Sequence, residues 1–155
     1  MTTENPSANG PKSGQVTNST VMLLIAAGRA AQRRFEDALA EHGLTLRHLS
    51  ALGHLAHTPG LSYSELARRA GITTQSMHAT IALLVEQGAV EVPPTDPGRR
   101  AEPMLTEQGR QLLHTAGRIA QGIDREFPID AAIMGDLRLT LLDIAGLSPT
   151  IRTIR

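Results

Sequence analysis

The sequence contains no cysteine and no tryptophan, and Phe35, Tyr63 and Phe127 are its only phenyl or phenol side chains. Without cysteine there can be no disulfide, no thiolate metal site and no thiol-based redox switch. With so few aromatics, a core must be built from Leu, Ile, Val, Ala and Met. That mixture packs most naturally as helices, because Ala and Leu have the best helical propensity. Long apolar runs are missing too. The longest, Val21 to Ala27, gives way to Gly28 and Arg29, far short of the roughly 18 apolar residues that span a bilayer. No basic segment leads into an apolar one near Met1, so the expected location is the cytoplasm. Neither charge is in excess: fifteen basic and fifteen acidic residues leave a net charge of zero, and all but one of the basic residues are Arg. A strong non-specific nucleic-acid binder is usually basic. Composition therefore permits DNA binding without arguing for it. The 155 residues, 41% of them apolar, suffice for one ordinary domain with its own core.

Residues 1–18 are polar and aperiodic, and are expected to form a disordered tail; 148–155 form a second, short tail. Between them the apolar spacing predicts six helices. Ser19 or Thr20 caps the first, which runs to about Glu41 with Leu24, Ala27, Ala31, Phe35 and Leu39 on one face. Thr45 caps the second, whose inner stripe is Leu46, Leu49, Leu52 and Leu55, and Pro59-Gly60 stops it. Ser62 and Glu65 stand in the S-x-x-E spacing of a capping box at the head of a third helix, which Gly71 closes. Thr73 starts a fourth through Met77, Ile81, Leu84 and Val85. Ala89 to Val92 and Met104-Leu105 then read as two short strands around a turn-rich segment carrying Arg99 and Arg100. Thr106 caps a fifth helix that breaks at Phe127-Pro128, and Asp130 caps a sixth ending near Gly146.

The third and fourth helices, joined by Gly71-Ile72, follow the helix-turn-helix plan, with Leu66 and Ile81 expected to pack the pair together. The exposed N-terminal half of the second helix of such a pair enters the major groove. A basic hairpin directly afterwards can lie along the neighbouring minor groove, where narrow A·T-rich stretches attract Arg.

In these residues the chain resembles the MarR family of bacterial regulators. The resemblance is carried by Leu61-Ser62-Tyr63-Ser64-Glu65-Leu66-Ala67, the Gly71-Ile72-Thr73 turn and Leu84-Val85-Glu86-Gln87-Gly88-Ala89-Val90. Asp96-Pro97-Gly98-Arg99-Arg100 in the wing and Leu105-Thr106-Glu107-Gln108-Gly109 beyond it complete the pattern. It implies a mainly α fold: a winged helix-turn-helix over 45–105, flanked by dimerisation helices over 19–44 and 106–147. It also implies a triangular homodimer whose winged regions read a pseudo-palindromic double-stranded DNA operator. Many members are repressors released by a small aromatic or anionic effector bound between the dimerisation helices and the DNA-reading unit. The expected site residues are Thr74, Gln75, Ser76, His78 and Thr80 for the groove, with Arg68, Arg69, Arg99 and Arg100 for phosphate. An effector pocket is expected near Phe35, Leu52, His54 and His57. Where members commonly carry a basic residue in the recognition helix this chain has Ala79, and Thr73 to Gln87 contains no Lys or Arg. Pro103 also removes a ladder donor from the return strand.

Two other classes stand beside this one. A helical interaction module that kept the fold and lost DNA affinity would suit the uncharged recognition helix. An enzyme would not suit the sequence: it has no G-x-S-x-G, no phosphate loop and no nucleotide fingerprint. No cofactor is expected. Six His raise the question of zinc, with His54 and His57 three apart and His42, His48 and His114 elsewhere. They lack a tight H-x-x-x-H pair beside a carboxylate, and no metal site is expected. Met22, Met77, Met104 and Met134 are expected to fill core gaps.

Overall fold

In the computed structural model the described residues are 19–147, apart from Pro97, Arg99 and Pro128. The expected tails and Arg99 therefore lie outside the described residues. Six helices and one hairpin follow one another among them: α1 (Thr20–Ala40), α2 (Leu46–His57), α3 (Tyr63–Ala70), α4 (Thr74–Glu86), β1 (Val90–Glu91), β2 (Met104–Leu105), α5 (Glu107–Glu126) and α6 (Ala131–Ile144).

Local chemistry sets the boundaries. The Thr45 hydroxyl accepts from the His48 N–H, the Thr73 hydroxyl from Ser76 and the Thr106 hydroxyl from Gly109. The Asp130 carboxylate accepts from Ala132. Each satisfies a first-turn donor that the helix itself cannot pair. Ser19 occupies the cap of α1 but makes no side-chain cap bond. Gly71 ends α3 at φ +67, a left-handed conformation that a Cβ would strain.

The residues up to Gln121 form one compact unit and those from Gly122 another. Two apolar clusters organise the first. The larger joins α2, α3, α4 and β1 through Leu52, Leu55, Leu66, Met77, Ile81 and Leu84, with Ala51, Ala67 and Val90 between them. Leu66 and Ile81 are both fully buried there, as the helix-turn-helix reading requires. The smaller cluster centres on Leu39, Leu44 and Ala116, with Phe35, Leu46, Leu49 and Ile119 against it, and so links the end of α1 to α5. A side-chain bond from Gln87 Nε2 to the Gly43 carbonyl at 3.0 Å fastens the end of α4 to the α1–α2 loop.

The hairpin is only two residues deep, pairing Val90 with Leu105 and Glu91 with Met104. Pro103 ends the ladder as the loss of a donor dictates, and its ring is fully buried. The hairpin's base is stitched to α5. The Thr106 N–H donates to the Ala89 carbonyl at 3.2 Å, and the Thr106 hydroxyl donates to the Gly88 carbonyl at 2.7 Å. Gly109 sits so close that an added Cβ would collide with the Ala89 carbonyl and the Leu105 side chain. The L-T-x-x-G spacing thus has a physical cause: it lets a strand turn into a helix without leaving the wing.

The remaining apolar surface is uncovered. Val21, Met22, Leu23 and Ile25 of α1 are exposed, and so, within the second unit, are Ile133, Leu139, Leu141 and Ile144. Of the methionines expected in the core, only Met77 is fully buried; Met22 and Met104 are 42% and 49% exposed. Apolar character alone did not decide their place, because α1 and β2 present them outward.

Candidate nucleic-acid interface

The capping box at the start of α3 forms in full. Ser62 N–H donates to Glu65 Oε2 at 2.9 Å, Ser62 Oγ donates to the same oxygen at 2.6 Å, and the Glu65 N–H reaches Ser62 Oγ at 3.4 Å. The Ser62 hydroxyl and N–H hold the Glu65 carboxyl below its usual range, and the nearby charges of Arg100 and Arg68 add to that. Arg100 is thereby placed beside the heads of α3 and α4. A shallow concavity of about 350 Å³ opens there, lined by Ser62, Tyr63, Ser64, Thr74, His78 and Arg100.

The predicted groove residues separate into two sets. Thr74, Gln75 and His78 are exposed on α4, and Ser76 is half-buried. Thr80 is instead buried, and its hydroxyl donates to the Ser76 carbonyl at 2.8 Å. It lies on the same inner face as Met77, Ile81 and Leu84, so its polarity is satisfied inside the helix and withheld from the surface. Arg68 and Arg69 are exposed at the end of α3. The guanidinium of Arg69 donates to Thr58 Oγ1 at 3.1 Å, tying α3 to the end of α2.

The four expected pocket residues are not brought together. Leu52 is shut in the larger core cluster, Phe35 packs on the smaller one, and His54 and His57 sit in the last turn of α2. A different cavity, about 670 Å³ and open to solvent, lies between α1, the head of α2 and α4. Gln32 and Glu36, Arg47 and His48, and Ser76 and Leu83 contribute to its lining, and none of the four does. His48 is 8% exposed, and its Nδ1 is buried without a hydrogen-bond partner. Burial pushes this imidazole below the usual histidine range; a hydrogen bond with the Gly43 backbone offsets part of the effect and the Arg47 charge adds to it. Nothing in the spacing of the six His sets His48 apart. Nor does the sequence assign a role to Tyr63, whose ring stacks on His78.

The MarR family model matches residues 42–101, the span from the end of α1 through the helix-turn-helix to the far side of the wing. The HTH-type transcriptional repressor Rv2887 of Mycobacterium tuberculosis is 36% identical over 103 residues, which are 66% of this chain and 74% of the repressor. The chain belongs to the MarR family. Structures of the same mycobacterial MarR family protein agree with the fold. Its complex with DNA superposes with a TM-score of 0.69 at 29% identity, covering 81% of this chain and 97% of that one. Its complex with salicylic acid gives 0.65 at 30%, covering 81% and 96%. The mainly helical fold and the small antiparallel wing are those of MarR winged helix-turn-helix proteins. Among the described residues no helix is long and apolar enough to cross a membrane.

Proposed function

We infer that this MarR family chain is a ligand-responsive transcriptional repressor that binds double-stranded DNA as a homodimer in the cytoplasm and catalyses no reaction. The observation that carries the reading is the exposed head of α4 with Arg100 beside it, on a helix-turn-helix whose packing face is fully buried. Thr74, Gln75, Ser76 and His78 face the major groove, where Gln can read adenine through its paired donor and acceptor. Arg68, Arg99 and Arg100 supply the charge that α4 lacks. Arg69 gives one donor to Thr58 and keeps the rest of its guanidinium for phosphate.

The division of the chain follows. Residues 45–105 read DNA, and 19–44 with 106–147 hold two copies together through the uncovered apolar faces of α1 and α6. The effector enters the cavity lined by His48, Arg47 and Ser76, where a donor group would satisfy the orphaned Nδ1. The mycobacterial relative's complexes with DNA and with salicylic acid support both halves of this reading.

Selection of genomic fragments on the purified protein tests it. An enriched inverted repeat, bound less tightly as salt rises, is the expected result. No enrichment at low salt would overturn it and leave the interaction-module reading, which the uncharged face of α4 favours.

A further inference from the structure

The ring of Tyr63 lies flat on the imidazole of His78, with centroids 4.0 Å apart and planes inclined by 10°. Tyr63 is the first residue of α3 and is anchored on the larger core cluster, deep enough that burial raises the range of its phenol. His78 belongs to α4 and is itself exposed. The contact therefore joins a fixed ring to a free one, across the concavity that also holds Ser62, Ser64, Thr74 and Arg100. An exposed imidazole with no such platform samples several rotamers and loses that freedom when it binds. Stacking on a core-anchored phenol removes the freedom in advance and leaves the imidazole edge, with both nitrogens, as the part that can meet a base or phosphate.

We propose that Tyr63 is a positioning residue for operator recognition, holding His78 against its ring so that the imidazole enters the groove in one orientation. The proposal rests on the DNA-binding reading given above. Tyr63 acts through His78, and its hydroxyl is dispensable: the aromatic face is what matters.

Two measurements test it. In the free protein, the His78 ring protons should be shifted upfield by the Tyr63 ring current in NMR spectra, in wild type and Y63F, and not in Y63L. Affinity for the enriched inverted repeat should fall about three- to tenfold in Y63L, the scale of one aromatic pair. Y63F should bind as wild type does, and all variants should bind random duplex equally. In an H78A background Y63L should cost nothing further, because the pair acts as one unit. Absence of the ring-current shift, wild-type affinity in Y63L, loss in Y63F or additive losses in the double mutant would each overturn the proposal. Failure of the wild type to select any repeat, with the ring-current shift intact, would instead remove the DNA-binding reading, and the operator role with it.

Discussion

Gly109 and His48 show how much one position can depend on its neighbours. At Gly109 the obstacle to a side chain is the Ala89 backbone carbonyl, which cannot swing aside as a flexible side chain can. Replacing Gly109 by Ala should destabilise the fold by about 1–3 kcal/mol in urea denaturation. Gly53, also inside a helix but with open space where a Cβ would go, is the control: Ala there should stabilise by roughly 0.5–1 kcal/mol. His48 couples folding to pH. Its imidazole is held below the ordinary value when folded, so between about pH 6.5 and that lower value the unfolded chain binds the extra proton. Stability then rises with pH and is lost on acidification through this window. His48→Gln should flatten the dependence of unfolding free energy on pH below about 6.5. The lowered Glu65 carboxyl acts in the same direction, only further into acid, as pH falls through the carboxylate range.

Among the elements, the proposed function divides the labour of binding between α4 and the wing. On the proposed reading phosphate contact depends on Arg68 of α3 and on the wing, because α4 carries no Lys or Arg. The R99A/R100A variant should lower the slope of log affinity against log salt by about one per lost phosphate contact, measured by fluorescence anisotropy. An unchanged affinity would remove the wing from the interface. What was legible here was local. The caps at Thr45, Ser62, Thr73, Thr106 and Asp130, and the turn at Gly71, each depend on residues within one helical turn, and the structure has them as the sequence predicts. Thr80 was misjudged although a signal existed, since it falls on the Met77–Ile81–Leu84 stripe. The cavity lined by Arg47 and His48 was not legible in the sequence. The α2 helix serves two clusters at once, with Leu52 and Leu55 in one and Leu46 and Leu49 against the other, and a single stripe cannot say which face a distant helix will cover. His48 and Tyr63 gain their surroundings only when α1 and α4 arrive.

For the molecule as a whole, the apolar residues left outside are the informative ones. Ile133, Leu139 and Ile144 are more than 60% exposed, an arrangement that costs about 1.5–3 kcal/mol per large side chain relative to burial. A second copy is the partner that the proposed function supplies. L139K/I144K should sediment as a monomer where wild type sediments as a dimer, and operator affinity should fall with it. Two hydrogen bonds from Thr106 and the close approach of Gly109 to the Ala89 carbonyl pin the base of the hairpin to the first turn of α5. The base of the hairpin and the first turn of α5 therefore share one joint, and a side chain added at position 109 would have to part it before the helix could seat.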